Sequence, residues 1–211
     1  MISGGDIANG VRAAFAMARD EEGWQDRFDF SADQVFKSFW AIGLSLPAIV
    51  LSAEVSRQVA ASAPPDPFTT SIASISPATL AVSQVLSFSV LWAVELWMLM
   101  TLAKRRNIGW KVSPLIISYN WSKFLFAMVV ALPLGVSILT GATALGTLGS
   151  TTGHALLLFL RWGIFRRTLD LTPIGVIGVL ALLILAYFVM SMLSTGLLVF
   201  FGLMELPQVS S

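Results

Sequence analysis

Cysteine is absent from the chain, which removes disulfides, iron–sulfur clusters and thiolate zinc sites. His154 is the lone histidine, so one chain cannot build a multi-histidine metal site or a bis-histidine haem. Charge is scarce as well: Asp, Glu, Lys and Arg make up 12% of 211 residues, about half of the ~25% usual in soluble domains. The first 37 residues carry no short apolar core behind a basic start, so no secretory signal peptide is expected and the first membrane helix must direct insertion. The Gly-x-Ser-x-Gly, His-Glu-x-x-His and P-loop signatures are missing too. No catalytic residue, cofactor, metal or nucleic-acid partner is expected, and the chain reads as non-enzymatic.

What is present is apolar: 56% of residues are hydrophobic, gathered in long runs. Such runs point to an all-α integral membrane protein. Four starts are marked. Ser31-Ala-Asp-Gln34 forms a capping box, with Phe30 placed to staple against Val35. Ser76-Pro77, Ser113-Pro114 and Thr172-Pro173 each set a capping oxygen before a proline, which needs no amide partner at the first helical position. The expected spans are 32–56, 77–103, 114–140, 143–165 and 173–204. Pro47 is expected to kink the first, and the last must tilt, bend near Gly196 or protrude. Residues 57–75, with Pro64-Pro65 and Pro67, read as a loop.

Ahead of the spans, Ile7, Val11, Phe15 and Ala18 recur at helical spacing. They predict an amphipathic cytoplasmic helix lying on the membrane or on the bundle, followed by an acidic linker up to residue 31. Residues 205–211 are expected to be a short periplasmic tail. Orientation follows from the basic residues. Arg12, Arg19, Arg27, Lys37, Lys104, Arg105, Arg106, Lys111, Arg161, Arg166 and Arg167 fall on one side of the alternating spans, and Arg57 alone on the other. The positive-inside rule then requires N-inside, C-outside and an odd number of spans, which five satisfies. Trp40, Trp110 and Trp162 fall at the same interface as belt anchors.

Ionisable side chains at membrane depth call for an explanation. Glu95 lies nine residues before Lys104, and Lys123 ten residues after Ser113. At about 1.5 Å per residue both sit roughly 13–15 Å in from the same surface. They predict an ion pair that pins the second helix to the third; a proton or ligand relay is the alternative. Tyr119 and Asn120 complete the candidate polar site. Arg161 is expected to snorkel to the cytoplasmic interface, and His154 to be a hydrogen-bonded packing group. Glu54 and Arg57 are expected to pair at the surface. Gly146, Gly149 and Gly153 make one face of the fourth helix small, expected to pack inside the bundle, with a homodimer face as the alternative.

Ile116-Ile-Ser-Tyr-Asn-Trp121, Arg161-Trp-Gly-Ile-Phe-Arg-Arg167 and Leu171-Thr-Pro173 resemble segments of the alphaproteobacterial inner-membrane branch of the Yip family. The resemblance covers roughly residues 32–204. It implies a cytoplasmic N-terminal segment, five closely spaced helices with short loops, the bacterial inner membrane, and action through lipid or protein contacts without a catalytic residue. The acidic and Gly-Pro or Gly-Tyr signatures of the eukaryotic members are not in this chain. Two further readings stay open: a transporter or channel component using the polar patch, and an accessory subunit of a larger complex or homo-oligomer.

Overall fold

The computed structural model describes residues 2–64 and 66–204, and these contain helices, turns and no strand. The expected tail, 205–211, lies outside the described residues. Helix α1 spans Gly4–Arg19, α2 Ala32–Ser38, α3 Trp40–Ser62, α4 Pro67–Ser74, α5 Pro77–Arg105, α6 Val112–Thr140, α7 Thr143–Thr168 and α8 Pro173–Phe200. Four stretches are long and apolar enough to cross a membrane: Ala32–Ser62, Pro77–Arg105, Gly109–Thr140 and Pro173–Phe200. Helix α7 has the length, with 26 residues. Its first half, rich in Gly, Thr and Ser, is too polar to join them on composition.

Local chemistry explains the boundaries. Ser76 accepts from the Thr79 amide and Thr172 from the Gly175 amide, with proline at the first turn in both helices. Ser31 likewise accepts from the Gln34 amide at 3.3 Å. The reciprocal half of that expected box is replaced by Asp29, whose carboxylate takes the Ser31 amide, and Phe30 stacks on Phe28. Ser113 does not cap: α6 begins one residue earlier, carried in by a 3-10 turn over Gly109–Lys111. Pro47 sits inside α3, and the first span is interrupted by a turn at Phe39, between α2 and α3. The expected loop 57–75 is mostly helical, because α3 continues to Ser62 and α4 follows. Helix α8 runs without a break through Gly196 and ends at Phe200. Its 28 residues span about 42 Å at 1.5 Å each, longer than a ~30 Å hydrocarbon core.

The termini of α3, α5, α6, α7 and α8 alternate between two ends of the bundle. The near end is the one that carries α1. This helix opens on a reciprocal box the sequence reading missed: Ser3 accepts from the Asp6 amide, and the Asp6 carboxylate takes the Ser3 amide and hydroxyl. Those two donations from Ser3, helped by nearby Lys37, hold the Asp6 carboxyl down at about 2. Helix α1 ends where Asp20 turns left-handed, and the Asp20 carboxylate accepts from Arg167 Nε at 2.7 Å. Of the two positions open to α1, the structure shows the bundle. Its small residues Ala13, Ala14, Ala16 and Ala18, with Met17, are buried against α6 and α7. The fit is close. A Cβ at Gly163 of α7 would stand 2.2 Å from the Ala18 carbonyl oxygen, and one at Gly10 would stand 2.2 Å from Trp121 Nε1.

Candidate functional site

The near half of the bundle encloses the ionised side chains. Helix α5 presents Trp92, Glu95, Leu96 and Leu99 inward, one face at helical spacing, while Ser118 to Lys123 of α6 are all buried. Glu95 is 2% exposed. Its Oε2 receives Lys123 Nζ in a close ion pair and the Tyr119 hydroxyl at 2.6 Å. Its Oε1 receives Arg161 Nη2 at 3.3 Å, and the same Nη2 donates to the Tyr119 oxygen at 2.8 Å. The Lys123 ammonium is ringed by Phe88, Trp92 and Tyr119 at 5.2, 5.1 and 5.5 Å from their centroids, within cation–π range.

Glu95 and Lys123 therefore meet, and Tyr119 joins them. Arg161 does not snorkel. It is 8% exposed and turned to Glu95, because Ala18 of α1 lies directly over Gly163 and closes the near face. Two cations thus share one carboxylate, and Arg161 Nε has no hydrogen-bond partner among the described residues. Asn120 serves a neighbouring link: Trp92 Nε1 donates to its Oδ1 at 2.8 Å and its Nδ2 donates to Ser38 Oγ at 2.9 Å. That chain ties α5, α6 and α2. An apolar indole at position 92 gave no warning of this role. The helical spacing to Glu95 was the available signal.

His154 stands apart. It is exposed on α7, its Nδ1 lies 2.7 Å from the Ser150 carbonyl, and its ring meets Phe126 edge-on at 4.9 Å. A carbonyl only accepts, so Nδ1 is the donor in this contact. Gly146, Gly149 and Gly153 face inward, where a Cβ would meet Ser137 and Val55, Pro133, and Val130 respectively. Glu54 and Arg57 pair through two hydrogen bonds at 3.0 and 2.7 Å. No three His, Cys, Asp or Glu side chains among the described residues are grouped to hold a metal.

The far half holds a crevice of about 560 Å³ between α3, α5, α6, α7 and α8. Phe88 forms part of its lining and also packs on the Lys123 ammonium. One aromatic ring therefore stands between the crevice and the cluster, and Glu95, Lys123, Tyr119 and Arg161 are not among the lining residues. No protein-family model matches the chain, and neither a curated protein nor a solved structure shows significant similarity to it.

Proposed function

We propose that the chain is a non-enzymatic, Yip-like, multi-pass protein of the bacterial inner membrane that acts through contacts with lipids or partner proteins. In this reading α7 is the fifth span. Its first half packs on α6 along Gly146, Gly149 and Gly153, the exposed Thr147 and Thr151 hydroxyls bond back to carbonyls of their own helix, and its second half buries Leu160, Ile164 and Phe165. The N-terminus lies inside, since Lys104, Arg105, Arg106, Lys111, Arg166 and Arg167 cluster at the near end.

The observation that carries the reading is the sealed cluster. Lys123 and Arg161 both turn to Glu95, within a shell of buried aromatic and aliphatic side chains. An ion relay needs a wet path on each side of its charges. Here α1 covers one side and Phe88 the other, so the cluster acts as a keystone for α5, α6 and α7. Purified protein in liposomes loaded with a pH-sensitive dye tests this. Proton flux under an imposed gradient should equal that of protein-free liposomes. Flux abolished by Glu95→Gln would overturn the keystone reading in favour of transport, the alternative that the crevice keeps open.

A further inference from the structure

Helix α8 is held to the bundle at two places. Val176, Val179 and Leu183 are buried near its start, and Leu198 and Val199 pack on the cluster of Ala53, Ile75, Leu80 and Met204 at its end. Between them no α8 residue is buried, and Tyr187, Met190, Ser191, Ser194 and Thr195 line the crevice instead. Opposite, α5 contributes Ser83, Gln84 and Ser87. The Ser87 and Ser194 hydroxyls lie 2.7 Å apart and Ser83 is 3.2 Å from Ser194, a hydroxyl chain that clasps the two helices.

Gln84 carries the inference. It is half-buried in the outer part of an apolar span, its amide has two donors and an acceptor, and it has no hydrogen-bond partner among the described residues. The side chains of Ser52, Ser191, Thr195 and Tyr187 in the same lining also make no hydrogen bond among the described residues. Polar groups at membrane depth are costly when nothing satisfies them. The lining contains no Asp, Glu, Lys or Arg, and its other walls are Ile49, Leu80, Leu91, Phe126 and Leu198. The volume falls within the ~300–1,000 Å³ of small-ligand sites, whose usual form is apolar walls with a few convergent polar groups.

We propose that this crevice binds an uncharged amphiphile, a lipid whose head is a hydroxyl or ester without phosphate, of the diacylglycerol type. Gln84 and the hydroxyls of Ser191 and Thr195 read the head, and the apolar walls take the start of the acyl chains. An anionic head finds no Lys or Arg in the lining, and a cationic head finds no carboxylate. The proposal deepens the lipid-contact reading above and rests on it.

The test uses full-length protein in phosphatidylcholine nanodiscs doped with a photoreactive diacylglycerol, or with phosphatidylglycerol bearing the same photoreactive chain. Adducts are mapped by mass spectrometry. Diacylglycerol adducts should concentrate on the lining residues Gln84, Ser87, Leu91, Ser191, Thr195 and Leu198, compete away with unlabelled diacylglycerol, and fall about five- to tenfold in Gln84→Leu, the loss expected for one or two hydrogen bonds. The outward-facing variant Leu86→Ala should label like wild type, since Leu86 is exposed and outside the lining. Equal labelling by phosphatidylglycerol, adducts spread over outward residues such as Leu86 and Phe188, or no effect of Gln84→Leu would each overturn the proposal. Extraction at alkaline pH separates the two levels. A chain released from membranes overturns the membrane reading itself, whereas a retained chain with no crevice adducts overturns only the ligand.

Discussion

The two halves of this bundle solve opposite problems with similar apolar helices. The near half buries full charges and closes around them. Its glycines bring backbones into contact, its aromatic rings surround the Lys123 ammonium, and α1 lies across its end. The far half contains no buried ion but leaves a crevice of about 560 Å³ edged with hydroxyls and an unpartnered amide. Buried charge in hydrocarbon is tolerable only when paired or hydrated, and here it is paired, so the near half has little freedom to open. Hydroxyls cost less to expose and can back-bond to their own helices, as Ser87 does to Ser83 and Thr151 to Thr147. The contrast teaches that polarity does not require openness here: the more highly charged region is the more tightly closed one.

The contrast breaks most easily at Glu95. Glu95→Gln leaves Lys123 and Arg161 buried without a counter-charge, a loss of about 3–5 kcal/mol. A large drop in thermal stability in mild detergent should show it, with only partial recovery in Glu95→Gln/Lys123→Met if the cluster is a keystone, because that variant still leaves Arg161 unpaired. An equal loss in the double variant would contradict that role. Next comes Gly163→Ala. The Ala18 backbone leaves no room for a Cβ, so the expected cost is about 1–3 kcal/mol, read as easier trypsin cleavage at Arg12 and Arg19. In the far half, Ser87→Ala/Ser194→Ala removes the clasp between α5 and α8. It should cost no more than about 1 kcal/mol, because these side chains are only half-buried. A far-half loss as large as that of Glu95→Gln would erase the distinction.

The smallest effect concerns pH. The folded Asp6 carboxyl lies at about 2, below its ordinary 3.8. The Asp20 carboxyl is also lowered, chiefly by its hydrogen bond from Arg167. A depressed carboxyl contributes stability above its unfolded value and loses it as pH falls through the folded one. Docking of α1 should therefore be constant above pH 4 and loosen progressively towards pH 2. Spin labels at Arg12 and Arg166, both exposed, should report a distance distribution that broadens over that window. Asp6→Asn should broaden it already at neutral pH.

Much of the helix layout and of the charged cluster was legible in the sequence because the signals are local or depth-matched. Ser76 and Thr172 cap where a hydroxyl precedes proline, and Glu95 and Lys123 lie at equal depth on antiparallel helices. Arg161 was misjudged for a physical reason: snorkelling assumes an open path to the interface. That path is closed by α1, whose docking depends on distant contacts such as Gly10 with Trp121 and Ala18 with Gly163. The loop expected at 57–75 failed similarly, since its prolines sit before or at the first turn of α4 rather than inside it. The crevice left no signal, because serines at helical spacing read alike whether they face a partner helix or a gap.

A chain without native cysteine permits a direct test of the contrast between the two halves. Single cysteines at Ser118, Ser122, Ser191 and Thr195 can be exposed to a small water-soluble maleimide in neutral detergent. The account predicts rapid modification at 191 and 195, and none at 118 and 122 until the protein is denatured. Modification of the 122 position at a rate comparable to 191 in the folded protein would show water beside Lys123, and would contradict a sealed cluster.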